Sequence, residues 1–123
     1  MPPDRDLVCL WQMLQAARGV VASLENVSLQ QYRSDENLRL AIERRVEIIG
    51  EAARRVSDEL KLAHPEIPWR PIIEQRHILA HVYDAIDDER IWRLAFDDIP
   101  QLIEQIAPLL PPPPPDPEPE GQP

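Results

Sequence analysis

Apolar residues recur along this chain at steps of three and four, and such steps predict helices. Leu7, Leu10, Trp11, Leu14, Ala17, Val21 and Leu24 form the first stripe. It predicts a helix that opens after Asp4 or Asp6, either of which can cap it, and closes near Glu25-Asn26. A turn or short helix over Ser28–Arg33 comes next, with Leu29 and Tyr32 packing down together and the Tyr32 hydroxyl at the surface. Ser34 or Asp35 then caps a long helix over about residues 35–62, with Leu38, Ile42, Val46, Ile49, Ala53, Val56 and Leu60 facing inward. Residues 64–71 read as a loop, because Pro65 and Pro68 end the preceding helix and Pro71 suits the first turn of the next. Trp69 is expected to plug the core there, and His64 to be a surface histidine. Two more helices follow, over about 70–85 and 88–110, the second broken or kinked at Pro100 and restarted by Asp97 or Asp98.

No run alternates apolar and polar residues between turn signals, so no strand is predicted. The expected fold is all-α: an up-down antiparallel bundle of four to five helices over residues 1–110. Residues 111–123 hold a run of prolines punctuated by Asp116, Glu118 and Glu120, which reads as an extended, disordered tail of polyproline-II character. Such a tail serves as a spacer or as a ligand for a proline-reading domain. On the long helix, Glu43, Glu47 and Glu51 alternate with Arg39, Arg44, Arg45, Arg54 and Arg55, a solvated and salt-bridged face in which Glu51 and Arg55 stand one turn apart. Gly50 interrupts that helix and suggests close approach of a neighbour.

A net charge of −9 argues against non-specific nucleic-acid binding, which rests on basic surface, without excluding a local basic pocket. Cys9 is the only cysteine, so no internal disulfide is possible, and its apolar neighbours make it a small buried hydrophobe. There is no signal-peptide pattern and no apolar run of membrane-spanning length, which together suggest a soluble, cytoplasmic protein. Internal repeats, a phosphate-cradling glycine loop and a cysteine metal site are also lacking.

The candidate chemistry lies in Arg76-His77-Ile78-Leu79-Ala80-His81-Val82-Tyr83. A permanent cation, an imidazole that titrates near neutrality and a phenol are the parts a phosphate-cleaving site would use. On an ideal helix Arg76 and Tyr83 return to within about 20° of one face, whereas His81 lies about 140° from Arg76. One helix does not converge all three, so the spacing nominates a composite site in which a two-fold copy supplies the second half. His77 and His81 share a face at i, i+4, but with Glu74 as the nearest carboxylate they make a poor zinc set. A buried polar helix whose Arg and His satisfy Glu74, Asp84 or Asp87 is the competing structural reading.

Arg76-x4-His81-x-Tyr83 resembles the RxxxxHxY signature of HepT-like toxins in the HEPN superfamily. The flanking segments Ile48-Ile49-Gly50-Glu51-Ala52-Ala53 and Pro65-Glu66-Ile67-Pro68-Trp69 resemble that family too. So do Asp84-Ala85-Ile86-Asp87, Ile91-Trp92 and Ile99-Pro100-Gln101-Leu102, which extends the likeness over about residues 7–110. The resemblance implies a dimerising helical bundle that acts as a metal-independent endoribonuclease toxin without a cofactor, on RNA rather than DNA. It further implies an MNT-type nucleotidyltransferase antitoxin as partner. Arg76 and His81 would form the cleavage site across the dimer cleft, and Tyr83 would be the residue the antitoxin adenylylates. His77 stands where the family often has Asn, so a supporting role passes to a different polar side chain. Three other functions fit the pattern: a non-catalytic HEPN module that partners a nucleotidyltransferase, a structural helical dimer, and a metal-dependent hydrolase.

Overall fold

The computed structural model describes residues 4–74 and 88–111. Helix α1 runs Asp4–Ser23, α2 Leu29–Ser34, α3 Glu36–Arg55 and α4 Asp58–Ala63. Helix α5 is described over residues 69–74. Helix α6, Asp88–Arg93, passes through a π-helical turn at Leu94–Asp98 into α7, Ile99–Ile106, which ends in a 3₁₀ turn at Ala107–Leu109. There is no strand among the described residues, and the helices pack antiparallel, as the periodicity predicts. Residues 112–123 lie outside the described chain.

Helices α1 and α3 form the main antiparallel pair. Two contacts fix their register, Asp6 against Ser57 at one end and Gly19 against the guanidinium of Arg45 toward the other. Helices α6 and α7 return antiparallel to α1. Trp92 donates its indole N–H to the Val27 carbonyl at 3.4 Å beyond the C-terminal end of α1, and Gln105 donates to the Glu66 carbonyl at 2.8 Å toward the other end. Cys9, Leu10, Met13, Leu14, Ala17 and Val20 of α1 meet Ile42, Val46, Ile49 and Ala53 of α3 and Ile99, Leu102 and Ile106 of α7 in one core. Burying side chains of this size stabilises by about 1.5–3 kcal/mol each.

Leu10, Leu14, Ala17 and Leu24 of the first stripe are buried as expected, but the buried arc is wider than the stripe and shifted to one side. Cys9, Met13, Ala16 and Val20 are buried, whereas Trp11 and Val21 are 40% and 39% exposed. Helix α1 packs on both α3 and α7, so its buried arc is wide and its seam cannot be read from the large residues alone.

Two expected caps are replaced by other arrangements. Asp6 sits inside α1 and does not start it; it is 1% exposed. One carboxylate oxygen accepts the Ser57 backbone N–H at 2.8 Å and the other the Ser57 hydroxyl at 2.6 Å. The Ser57 oxygen in turn accepts from the Leu60 N–H at 3.2 Å and caps α4. The predicted helix over 35–62 is therefore two helices, with Val56 extended at ψ 142° between them. Pro100 does not break the final helix. The Ile99 N–H reaches the Leu94 carbonyl five residues back, and this wider turn accommodates a residue that lacks an N–H. Neither Asp97 nor Asp98 restarts it, since no side-chain cap bond forms there.

Other local expectations divide. Ser28 and Gln31 form a reciprocal capping box at α2, and Asp35 caps α3 through the Leu38 N–H at 3.0 Å. Tyr32 is fully buried, hydroxyl included, so its oxygen does not reach the surface. Cys9 and Trp69 are buried as expected. On the outer face of α3, Arg44 pairs with Glu47 at 3.2 Å, and Glu51 pairs with Arg54 at 2.7 Å in place of Arg55. The Glu51 hydrogen bond and charge hold the Arg54 guanidinium above its ordinary pKa. Such exposed pairs add little to stability.

A methyl group at Gly19 would meet only the guanidinium end of Arg45, which can swing aside. Gly19→Ala is therefore expected to leave stability unchanged or raise it by up to about 1 kcal/mol through helix propensity. Thermal denaturation followed by circular dichroism checks this, and a clear loss would mean that Arg45 is held rigidly.

Candidate active site

The described part of α5 precedes the Arg76–Tyr83 stretch in the sequence, and its start is built by the loop over residues 64–68. Trp69 is buried and donates its indole N–H to the His64 carbonyl at 3.0 Å. The Ile72 N–H donates to the Pro68 carbonyl at 3.2 Å, closing the first turn. Pro71 stands in that turn, where its missing N–H costs little. His64 is partly exposed with Nδ1 3.2 Å from Glu66 Oε2, and Arg70 lies 3.9 Å from Glu74. The indole bond makes Trp69 the anchor of this entry. Trp69→Phe keeps most of the burial and is expected to cost about 1–2 kcal/mol, checked by urea unfolding.

Arg76, His77, His81 and Tyr83 lie outside the described residues, as do Asp84 and Asp87. The chain resumes at α6. Glu89 there pairs with Arg93 at 2.8 Å and with Arg33 of α2 at 3.9 Å. The Trp92 and Phe96 rings sit 4.7 Å apart at 50°, a tilted aromatic pair. Both flanks of the candidate stretch are thus tied to the frame, one through Trp69 and the other through Trp92.

A cavity of about 390 Å³ adjoins the first turns of α5. Val46 and Ile49 of α3, Pro68 and Ile72, and Leu94 and Leu102 form its apolar walls. Glu66, Asp98, Gln101 and Gln105 supply polar groups at it. Ile72 precedes Arg76 by four positions in the sequence. Three separate segments of the family-like pattern therefore meet at one cavity beside the first turn of α5: Ile49, Glu66 with Pro68, and Gln101 with Leu102.

No sequence expectation anticipated Asp6–Ser57 or the contact of Arg45 with Gly19. Ser57 followed by Asp58 and Glu59 carries a helix-start signal; the partner 51 residues away carries none. Among the described residues no group of three or more His, Cys, Asp or Glu side chains is placed to hold a metal ion. Nor is any described helix long and apolar enough to cross a membrane.

The described residues thus form an antiparallel helical bundle in which three of the family-like segments line one cavity beside α5. The family model for HepT-like ribonucleases matches residues 13–109, and the chain belongs to that family. A Thermococcus cleftensis protein named "Probable ribonuclease HepT" is 36% identical over 62% of this chain and 69% of its own length. A Caldanaerobacter subterraneus protein named "Putative RNase" is 30% identical over 82% of this chain and 90% of its own. A Methanocaldococcus jannaschii protein, likewise named as an RNase, is 28% identical over 79% of this chain and 89% of its own. No solved structure matches.

Proposed function

We propose that the protein is the toxin of a bacterial toxin–antitoxin pair, a cytoplasmic endoribonuclease that cleaves RNA without a metal at an Arg76/His81 site completed by a two-fold copy. The observation that carries this reading is the intact Arg76-x4-His81-x-Tyr83 spacing inside the family match over residues 13–109. The His81 imidazole takes the proton of a ribose 2′-hydroxyl, and that oxygen attacks the adjacent phosphorus. The bond from phosphorus to the 5′ oxygen breaks, and this oxygen leaves with a proton from an imidazolium. The products are a 2′,3′-cyclic phosphate and a 5′-hydroxyl. Arg76 holds the phosphate and stabilises the charge that builds on it in the transition state. His77 supports the pocket as a polar neighbour.

Tyr83 stands apart as the point of control. Transfer of AMP to its hydroxyl by a nucleotidyltransferase antitoxin would place bulk and negative charge where RNA phosphate must bind. Co-expression with the partner is expected to yield an AMP-sized mass increase that Tyr83→Phe abolishes, read by intact-protein mass spectrometry. An adduct that persists in Tyr83→Phe would move the modification to another residue.

Expression of the toxin without its partner tests the main reading. Wild-type protein is expected to slow growth and cleave cellular RNA. The net charge of −9 favours the rival reading, a non-catalytic module that only partners a nucleotidyltransferase. That reading gains if partner binding persists with no cleavage by pure protein.

A further inference from the structure

Helices α1 and α3 leave an open groove on their outer side. Trp11, 40% exposed, and Gln15 of α1 face Ile48 and the arginines 44, 45 and 55 of α3. Val8, 54% exposed, extends the apolar edge by one turn. Glu47 and Glu51 also line the groove, but each is already paired, with Arg44 and Arg54. Among the described residues Arg45 and Arg55 have no carboxylate within 4.0 Å. The groove thus offers an aromatic face beside two unneutralised guanidinium groups, in a chain whose net charge is −9.

One segment of this chain complements that surface. Residues 111–120 read Pro-Pro-Pro-Pro-Pro-Asp-Pro-Glu-Pro-Glu. A polyproline-II segment is pre-ordered and docks on exposed aromatic rings at little entropic cost. Asp116, Glu118 and Glu120 add three carboxylates at every second position. Helix α7 runs antiparallel to α1, so Leu110 lies at the end of the bundle that carries Asp6 and Ser57, the same end as Arg55. Residues 111–120 would extend about 28 Å as polyproline II, enough to follow the roughly 21 Å of α3 from Ala41 to Arg55. From Pro111 at the Arg55 end, Asp116 would fall about 15 Å along the groove, level with Arg45, which lies about 15 Å along the helix axis from Arg55.

We infer that the groove between α1 and α3 is the docking site of the chain's own proline-rich acidic tail, with prolines passing Arg55 against Val8 and Trp11 and the tail carboxylates at Arg45. The tail covers basic side chains of an acidic molecule, and added salt releases it, since exposed charge pairs are screened. The inference does not depend on the ribonuclease reading.

Paramagnetic labelling of the full chain tests it. A nitroxide is attached at Gly121→Cys; Cys9 is fully buried and does not compete for the label. The expected result is loss of most of the amide signal of Ala41, Arg44 and Arg45, the groove residues that the far end of the docked tail reaches. The signals of Ser57 and Lys61, at the end of the bundle where the tail begins, are expected to be retained. Asp116→Asn/Glu118→Gln/Glu120→Gln in the same labelled chain should restore the lost signals. Uniform weak broadening, or no difference after neutralisation, overturns the inference. A mixture of isotope-labelled chains without nitroxide and nitroxide-bearing chains without isotope should show no broadening. Broadening in that mixture assigns the groove to the tail of a second copy and overturns the intramolecular contact. Concentration-dependent shifts of the groove signals with no nitroxide effect assign it to the body of a second copy and likewise overturn it.

Discussion

Arg76→Ala and His81→Ala proteins are each expected to cleave RNA about 10²–10⁴-fold more slowly than wild type while keeping its circular dichroism spectrum and thermal transition. General acid–base catalysis by a placed imidazole contributes about 10²–10⁴-fold. One donor aimed at developing oxyanion charge contributes about 10²–10³-fold. The two losses should not add, because in the proposed mechanism both residues act on one phosphate in one step, and the double variant should lie near the worse of the two. Arg76→Lys tests geometry separately from charge: a lysine keeps the cation but not the two-pronged contact, and only partial recovery is expected. Tyr83→Phe should keep most of the activity, since its hydroxyl is assigned to control. If Tyr83→Phe fell as far as His81→Ala, the assignment of roles between them would be wrong.

Asp6→Ala is expected to be the most damaging of the polar substitutions within the described fold. The carboxylate is 1% exposed and receives both the backbone N–H and the hydroxyl of Ser57. Its removal leaves two part-buried donors without their acceptor at the junction of α3 and α4. Hydrogen bonds to charged groups contribute about 1.5–3 kcal/mol each, partly offset by relief of carboxylate burial, so a net loss of about 2–4 kcal/mol follows. In a domain of this size that lowers Tm by on the order of 10 °C. Asp6→Asn should lose less, because its carbonyl oxygen can still accept the Ser57 N–H. Ser57→Ala should lose about 1–2 kcal/mol through the α4 cap and the lost hydroxyl bond. The double variant Asp6→Ala/Ser57→Ala should cost less than the sum of the singles, since the pair is one network. A loss below about 0.5 kcal/mol for Asp6→Ala would mean that water replaces the carboxylate, contrary to its burial.

These two predictions show which features were legible in the sequence. The helical class, the α2 and α3 starts, and the burial of Cys9 and Trp69 follow from local signals: apolar spacing, Ser28 with Gln31, Asp35, and Pro65 and Pro68. The wider, shifted seam of α1 was not legible, because contact with two helices buries Met13 and Val20 while leaving Trp11 outside. The break at Val56–Ser57 depends on a carboxylate from the far end of the fold, and a stripe that continues through Val56 to Leu60 conceals it. Pro100 was read as a breaker because the usual four-residue ladder cannot hold it, whereas a five-residue turn can. Of the candidate site, the residue types and spacing are legible, and wheel geometry argues for a second copy. The frame adds the cavity beside α5 and the Trp69 and Trp92 ties on either flank.

The central claim is that this HepT-like ribonuclease cuts RNA by 2′-hydroxyl attack with Arg76 and His81. Its most direct test is incubation of purified wild-type protein with RNA, and with DNA of the same sequence, in excess EDTA, followed by analysis of the product ends. The account predicts cleaved RNA with 2′,3′-cyclic phosphate and 5′-hydroxyl termini, intact DNA, and no cleavage by His81→Ala. RNA left intact in EDTA but cut when a divalent metal is restored, or cleavage that survives both Arg76→Ala and His81→Ala, would contradict it.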